Sequence, residues 1–330
     1  MDLLVDGFNR RITYMRVSVT DRCNLRCTYC MPAEFSEWKE QETILTYDEI
    51  IRILSVAARR GLKKVRITGG EPLVRSGIVE FVERVAAIPG IEDIAMTTNA
   101  VNLKNLAAKL YKAGLRHLNI SLDSLEGERF AVMTRGNVFA RVWEGIEEAE
   151  RVGFNPIKLN VVLQKGVNDH EVIDFVKLTV NKTHHVRFIE YMPCSSFSDW
   201  TGKYLPVDEI IANINRELGE LKPIIKAQVD GPSKNYRLVG AKGVVGFITA
   251  ISDNHFCEQC NRIRLTADGK VRPCLFNDLE IDFREPIRRG CSDEEVSALL
   301  DQVMGIKPKA HELDKYAEEK MLKSMVNIGG

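Results

Sequence analysis

The chain has 330 residues, with 46 Lys and Arg balanced by 46 Asp and Glu, so its formal net charge is zero. That balance argues against a general nucleic-acid or membrane-surface binder, which needs a basic excess to neutralise phosphates. A composition of 45% hydrophobic and 28% charged residues excludes a disordered chain, and the length suits about two domains or one α/β barrel with an appendage.

The first residues, Met1-Asp2-Leu3-Leu4-Val5-Asp6-Gly7, carry no basic n-region followed by an apolar stretch, so no secretory signal is read. The longest apolar run, around Gly243 to Ile251, is the size of a strand and too short to span a bilayer. A cytoplasmic protein is expected, in which eight cysteines are better metal ligands than disulfide partners. Strand-like runs follow at Tyr14 to Val19, Lys64 to Thr68, Ile94 to Thr98, His117 to Leu122, Ile157 to Leu163 and Val186 to Met192. Between the first two, Thr46-Tyr47-Asp48-Glu49 reads as a capping box and Gly61 as a helix stop. Further helices are read at Gly77 to Ala87, Val101 to Ala113, Asn137 to Val152 and Asp169 to Val180. Strand-helix alternation of this kind predicts a parallel sheet, and six units predict an incomplete (β/α)6 TIM-like barrel of class α/β over residues 1–200, with core strands at about 12–192.

Within these strands polar residues alternate with apolar ones: Arg16, Ser18 and Thr20 in the first, Arg66 and Thr68 in the second, His117, Asn119, Ser121 and Asp123 in the fourth, Lys158 and Asn160 in the fifth. Parallel strands covered by helices normally read as continuous apolar runs, so a polar face must line an enclosed lumen. Arg16, Arg66, Lys158 and Arg187 all sit mid-strand, where an unpaired cation is costly. An anion would satisfy them; for any one of them, an ion pair with Asp123 or Glu190 is the alternative.

From about residue 196 the rhythm changes, and an α+β extension over 201–330 is expected. Pro206-Val207-Asp208-Glu209 opens a helix to Leu218, and strands are read at Tyr236 to Val239 and Val244 to Thr249. Arg262 to Thr266 and Lys270 to Leu275 flank Asp268-Gly269 as a hairpin. A two-residue turn there sets Thr266 opposite Val271 and Ile263 opposite Cys274. Ser292 caps a last helix carrying Val296, Leu299, Leu300 and Val303, and the tail from Lys307 to Gly330 is charged and weakly periodic.

Two cysteine constellations carry the chemistry. Cys23, Cys27 and Cys30 fall within eight residues after the first strand, at the rim where a barrel keeps its active site. Structural zinc would normally take a fourth ligand, whereas three thiolates suit a cubane iron-sulfur cluster with one iron left open. The second strand ends in Thr68-Gly69-Gly70-Glu71-Pro72, where backbone without side chains could approach a ligand closely. The second constellation is Cys257, Cys260 and Cys274 at the base of the hairpin; either a cluster or a zinc site borrowing Cys194, Cys291 or a His fits that spacing.

The x3-then-x2 cysteine spacing, Tyr29 just before the third Cys, and the Gly-Gly-Glu-Pro run resemble the radical S-adenosylmethionine enzymes. The resemblance implies a 4Fe-4S cluster on Cys23, Cys27 and Cys30, whose open iron chelates S-adenosylmethionine and whose electron cleaves it to a 5′-deoxyadenosyl radical. With Cys-x2-Cys-Asn-Arg-Ile-Arg-Leu, Cys274 and the terminal Gly329-Gly330, the chain further resembles the GTP 3′,8-cyclase branch, which makes 3′,8-cyclo-7,8-dihydroGTP in the first step of molybdenum cofactor biosynthesis. That resemblance implies a second 4Fe-4S cluster on Cys257, Cys260 and Cys274. It implies S-adenosylmethionine contacts at Tyr29, Gly70, Ser121 and Met192, and GTP contacts at Arg16, Arg66, Thr97, Lys158, Arg262, Ile263 and Arg264. Catalytic roles are implied for Arg262, Arg264, Arg187, Gly329 and Gly330, the last two threaded into the site. Implied partners are GTP, a reductant protein such as flavodoxin or ferredoxin, and cyclic pyranopterin monophosphate synthase as recipient of the product; a monomer or homodimer is expected, with no nucleic acid and no membrane. A radical enzyme acting on a peptide is the competing expectation, disfavoured because the first strand begins too near Met1 for an N-terminal peptide-recognition element; a non-catalytic iron-sulfur or zinc protein is another.

Overall fold

The computed structural model of the chain describes residues 2–192, 200–224, 231–253, 255–311 and 325–329. The alternation read from the sequence builds β1 (Tyr14–Ser18), α1 (Tyr47–Arg59), β2 (Lys64–Thr68), α2 (Ile78–Ala86), β3 (Asp93–Thr98), α3 (Ala107–Lys112) and β4 (His117–Ser121). It continues with α4 (Gly127–Thr134), α5 (Phe139–Val152), β5 (Lys158–Val162), α6 (Val172–Asn181) and β6 (His185–Ile189). The Thr46 and Glu49 capping box is formed reciprocally at the start of α1. Ile50, Ile53, Leu54 and Ala57 of that helix are fully buried against the sheet, the stripe expected of a helix covering a barrel strand.

The remaining elements are α7 (Trp200–Lys203), α8 (Val207–Leu218), β7 (Leu221–Pro223), β8 (Lys234–Leu238), β9 (Val244–Ile248), β10 (Arg262–Leu265), β11 (Lys270–Arg272), β12 (Ile281–Asp282), α9 (Arg284–Arg288) and α10 (Asp293–Gly305). Their strands extend the barrel's own sheet, whose order is β12-β11-β10-β1-β2-β3-β4-β5-β6-β9-β8-β7. β9 lies parallel to β6 and β10 parallel to β1, so eight neighbouring strands run the same way. The apolar sequence of β9 fits its place, since Val244, Val245, Gly246 and Phe247 are all buried.

The hairpin register differs by one residue from the expected one. Arg264 faces Arg272 and Leu265 faces Val271, because the loop has three residues, Ala267-Asp268-Gly269, with Gly269 left-handed at φ +85°. A three-residue loop ending in a left-handed glycine is the common alternative to the two-residue turn. The Asp268 carboxylate accepts from Thr266 Oγ1 at 2.6 Å and from Lys39 Nζ at 2.6 Å, which ties the loop to the segment after the first cysteines. Thr266 therefore faces Lys270, with Thr266 N donating to Lys270 O at 2.9 Å.

Candidate active site

A cavity of about 320 Å³ runs through the sheet's concave side. Its wall includes both cysteine triads, Arg16, Arg66, Lys158, Arg187, Arg262, Arg264, Thr97, Tyr29, Gly70, Ser121 and Met192. Of the residues expected from sequence, Ile263 points the other way into the apolar core and is fully buried there, which leaves its main chain alone for any ligand. Gly330 and Cys194 lie outside the described residues.

Cys23, Cys27 and Cys30 follow β1 at its C-terminal end on a loop fixed from two sides. Arg26 N and Thr28 N donate to Thr134 O and Met133 O at the end of α4, at 3.0 and 2.8 Å. From the other side Gly70 N donates to Thr20 O at 2.7 Å and Glu71 N to Arg22 O at 2.8 Å. A Cβ on Gly70 would stand 2.3 Å from Arg22 O and 2.5 Å from Asp21 O, and one on Gly69 would stand 2.6 Å from Thr20 O. The paired glycines thus let the β2 rim lie flat against the backbone of the cysteine loop. Leu25 N donates to Cys23 Sγ at 3.4 Å. Burial pushes the Cys23 thiol up to about 11 and holds that of Cys27 well above its usual range, with the neighbouring Asp123, Cys30 and Cys23 adding to the rise at Cys27. Protonated thiols of that kind become good ligands when a metal supplies the compensating charge.

Glu71 of the Gly-Gly-Glu-Pro run is wholly buried and accepts from Leu73 N, Thr98 Oγ1 and Asn99 N at 3.0, 2.7 and 2.7 Å. Burial holds its carboxyl up to about 7. It clamps the β2 rim to the β3 rim, and Asn99 reaches on to Asn24 Oδ1 at 2.8 Å beside Cys23. Tyr29 donates to Asp123 Oδ2 at 2.8 Å, while Asp123 Oδ1 accepts from Val162 N at 2.8 Å.

The second triad sits at the opposite end of the same strands. Cys257 and Cys260 precede β10, which is parallel to β1, and β11 returns antiparallel to bring Cys274 to that end. Burial raises the Cys257 thiol. Burial acts in the same direction on Cys260, but the Arg262 guanidinium and the Lys307 ammonium outweigh it and bring that thiol down to about 6.

Between the triads lies a strip of cations. Arg264, Arg16 and Arg66 stand abreast on β10, β1 and β2. Like charges directly opposite one another destabilise a sheet. Burial, then Arg264, pushes the Arg16 guanidinium down to about 9. Neither carboxylate offered as an internal partner meets the strip. Asp123 is engaged as described, and Glu190 accepts from Ile251 N and Ser252 N at 2.9 and 3.2 Å, from Ser252 Oγ, and from Tyr204 OH at 3.4 Å. Arg66 Nε, Thr97 Oγ1, Asn119 Oδ1 and Asn160 Oδ1 are buried with no hydrogen-bond partner among the described residues, the condition of a polar site shaped for a ligand. Gly329 reaches this strip: its carbonyl accepts from Arg264 Nη1 at 3.1 Å and Arg16 Nη2 at 3.4 Å.

Residues 17–179 match the Radical SAM superfamily and residues 184–313 match Molybdenum Cofactor Synthesis C. The chain is 47% identical over 326 residues to GTP 3′,8-cyclase of Pelotomaculum thermopropionicum, covering 98% of this chain and 99% of that one. It is 48% identical over 314 residues to GTP 3′,8-cyclase of Listeria monocytogenes, covering 95% and 93%. The chain belongs to the GTP 3′,8-cyclase family. Among solved structures, native anSMEcpe with bound AdoMet superposes with TM-score 0.60 at 14% identity over 92% of this chain and 85% of that one. Streptococcus suis SuiB bound to precursor peptide SuiA superposes with TM-score 0.63 at 17% identity over 91% and 66%. Both likenesses bear on the fold alone.

Membership makes the chain a radical S-adenosylmethionine enzyme that uses an iron-sulfur cluster. Among the described residues no helix is long and apolar enough to cross a membrane. Several residues that line the cavity or touch a triad carried no role in the sequence reading: Glu71, Asn99, Tyr14 and Lys64 in its wall, and Lys307 beside Cys260. Tyr14 was findable, since it lies two residues before Arg16 on the polar face; its ring sits 5.6 Å from both Lys64 Nζ and the Arg66 guanidinium. Lys307, in an aperiodic segment, had no local signal.

Proposed function

We propose that the chain converts GTP to (8S)-3′,8-cyclo-7,8-dihydroguanosine 5′-triphosphate, the first step of molybdenum cofactor biosynthesis. The observation that carries this reading is one cavity with a cysteine triad at each end and a strip of cations between them. Cys23, Cys27 and Cys30 would hold the 4Fe-4S cluster that, with S-adenosylmethionine bound, supplies a 5′-deoxyadenosyl radical. The donor set fits such a group: three half-buried thiols on the cavity wall, a sulfur already receiving an N–H, and a loop pinned on both sides. Cys257, Cys260 and Cys274 would hold a second cluster.

This chain's own residues bind and orient. Arg16, Arg66, Lys158, Arg187, Arg262 and Arg264 take the triphosphate, guanidiniums in fork geometry and Lys158 as a point charge. The partnerless Thr97, Asn119 and Asn160 oxygens offer acceptors and donors to ribose and base. Tyr29, Gly70, Ser121 and Met192, all in the cavity wall, receive S-adenosylmethionine, while enclosure by the barrel keeps water from the radical. In the same proposal residues 1–200 form the cofactor-binding part, and residues 201–330 add the second triad and the Gly-Gly end. A flavodoxin or ferredoxin serves as reductant, and the product passes to cyclic pyranopterin monophosphate synthase.

The test is anaerobic incubation of reconstituted, reduced protein with GTP and S-adenosylmethionine, with separation of the nucleotide products. Formation of 5′-deoxyadenosine and a cyclised nucleotide in equal amounts is expected. Cofactor cleavage with GTP recovered intact refutes the assignment.

A further inference from the structure

Lys307, two residues beyond α10, is 4% exposed, and a lysine is almost never fully buried unless it is paired. Among the described residues no carboxylate meets it within 4 Å. Its ammonium lies instead 2.9 Å from Arg262 O, 2.7 Å from Pro273 O and 3.6 Å from Cys260 Sγ. These three acceptors match the three protons of an ammonium, and all belong to the second triad. Arg262 leads away from Cys260, and Pro273 immediately precedes Cys274.

The segment that follows wraps the same site. The His311 backbone N–H bonds to the Cys257 thiol, and His311 Nε2 lies 2.8 Å from Ala250 O. Arg10 clasps the segment from outside: Nη1 donates to Cys257 O at 2.9 Å and Lys309 O at 2.8 Å, Nη2 donates to Pro308 O at 2.5 Å, and Asp6 Oδ2 accepts from Nε at 2.6 Å. Phe276 N completes the set with a bond to Cys274 Sγ at 3.5 Å. Each sulfur of the second triad thus receives an N–H, and two cations reach Cys260, the half-buried Arg262 guanidinium and the buried Lys307 ammonium; of the two, Lys307 alone also holds the carbonyl before Cys274.

We propose that Lys307 is a positioning residue of the second triad: its buried ammonium ties the two cysteine-bearing segments together and raises the reduction potential of the cluster they hold. This rests on the reading that Cys257, Cys260 and Cys274 hold a cluster. Hydrogen bonds to the sulfurs, and net charge beside the cluster, set its potential. A cation fixed on a ligating sulfur favours the reduced, more negative state, and with it the more positive potential.

The experiment uses the full chain with Cys23, Cys27 and Cys30 replaced by Ala, so that iron and paramagnetic signal report the second triad alone. In that background Lys307→Met, close in length but uncharged, and Lys307→Arg, which keeps charge and donors, are reconstituted anaerobically. Iron content and the midpoint potential are measured by redox titration followed by electron paramagnetic resonance. The expected result is a more negative midpoint in Lys307→Met, or loss of its iron, with Lys307→Arg retaining the cluster near the background potential. An unshifted midpoint in Lys307→Met, or the same behaviour in both variants, overturns the role of the charge. A background chain holding no cluster iron overturns the cluster reading itself, and the inference with it.

Discussion

Replacing Gly70 with Ala tests whether the β2 rim positions the first triad. The added Cβ would stand 2.3, 2.5 and 2.6 Å from Arg22 O, Asp21 O and Arg22 C, all backbone atoms that no rotamer change can move aside. Reaching the 3.4 Å of ordinary contact requires the loop before Cys23 to withdraw by about 1 Å. Withdrawal strains or breaks the bonds from Gly70 N to Thr20 O and from Glu71 N to Arg22 O, each about 0.5–1.5 kcal/mol net. Overpacking adds about 1–3 kcal/mol, which brings the local cost to about 2–6 kcal/mol. The loop is joined to the barrel through these contacts and those to α4, so the loop opens while the fold persists. Gly70→Ala should lose about half its cluster iron and at least about 30-fold in S-adenosylmethionine cleavage, with the iron of the second triad retained. Gly305→Ala, whose Cβ meets nothing within 4 Å, is the control and should change neither. Full iron content and full cofactor cleavage in Gly70→Ala would refute the argument.

Cys23→Ala should abolish cofactor cleavage while sparing the second cluster, and Cys274→Ala should permit some cleavage but no cyclised nucleotide; zinc in place of iron at the second triad after strictly anaerobic reconstitution would sink the two-cluster reading. Lys158→Ala, Arg262→Ala and Arg264→Ala should each weaken GTP binding by about 1–3 kcal/mol, and equal affinity of the unaltered protein for guanosine and GTP counts against a triphosphate role. Gly329 is left-handed at φ +70° with its would-be Cβ 3.0 Å from Ser18 Cβ, so Gly329→Ala, like Gly330→Ala or a tag after Gly330, should cut cyclisation severely at unchanged iron content and melting temperature. Full activity in a chain lacking both glycines removes that role.

The barrel was legible because periodicity is a local signal. Arg16 of β1, Arg66 and Thr68 of β2, Asn119 and Ser121 of β4, and Lys158 and Asn160 of β5 line the cavity where alternation put them, whereas Ser18, Thr20 and His117 are not part of its wall. The partners of β9 and β10 were not legible in the same way, since strand adjacency between residues as far apart as His185 and Val244, or Tyr14 and Arg262, depends on how the chain returns, and no local pattern encodes it. β9 did carry a hint: its continuous apolar run is what a strand covered on both faces shows. The hairpin slipped by one residue because Asp268-Gly269 serves a two-residue turn and a three-residue loop equally well, and a single residue changes every cross-strand pair. Gly69 and Gly70 were expected to make room for a ligand; the structure adds a neighbour the sequence could not supply, the backbone of Thr20 to Arg22.

The pairing of β10 with β1 sets the geometry of the whole site. Tyr14 is level with Arg262, and Arg16 with Arg264. Cys260 stands two residues before that register begins, and Cys23 follows five residues after β1 ends at Ser18. Five residues of strand rise about 13 Å between their first and last Cα atoms, and the cation strip crosses β1 at its middle residue, Arg16, between the two triads. Sliding β10 by two residues would carry Arg264 out of line with Arg16 while moving the second triad by about 7 Å. Alignment of the cations is therefore a property of one strand pair, and the same register carries the second triad along with β10.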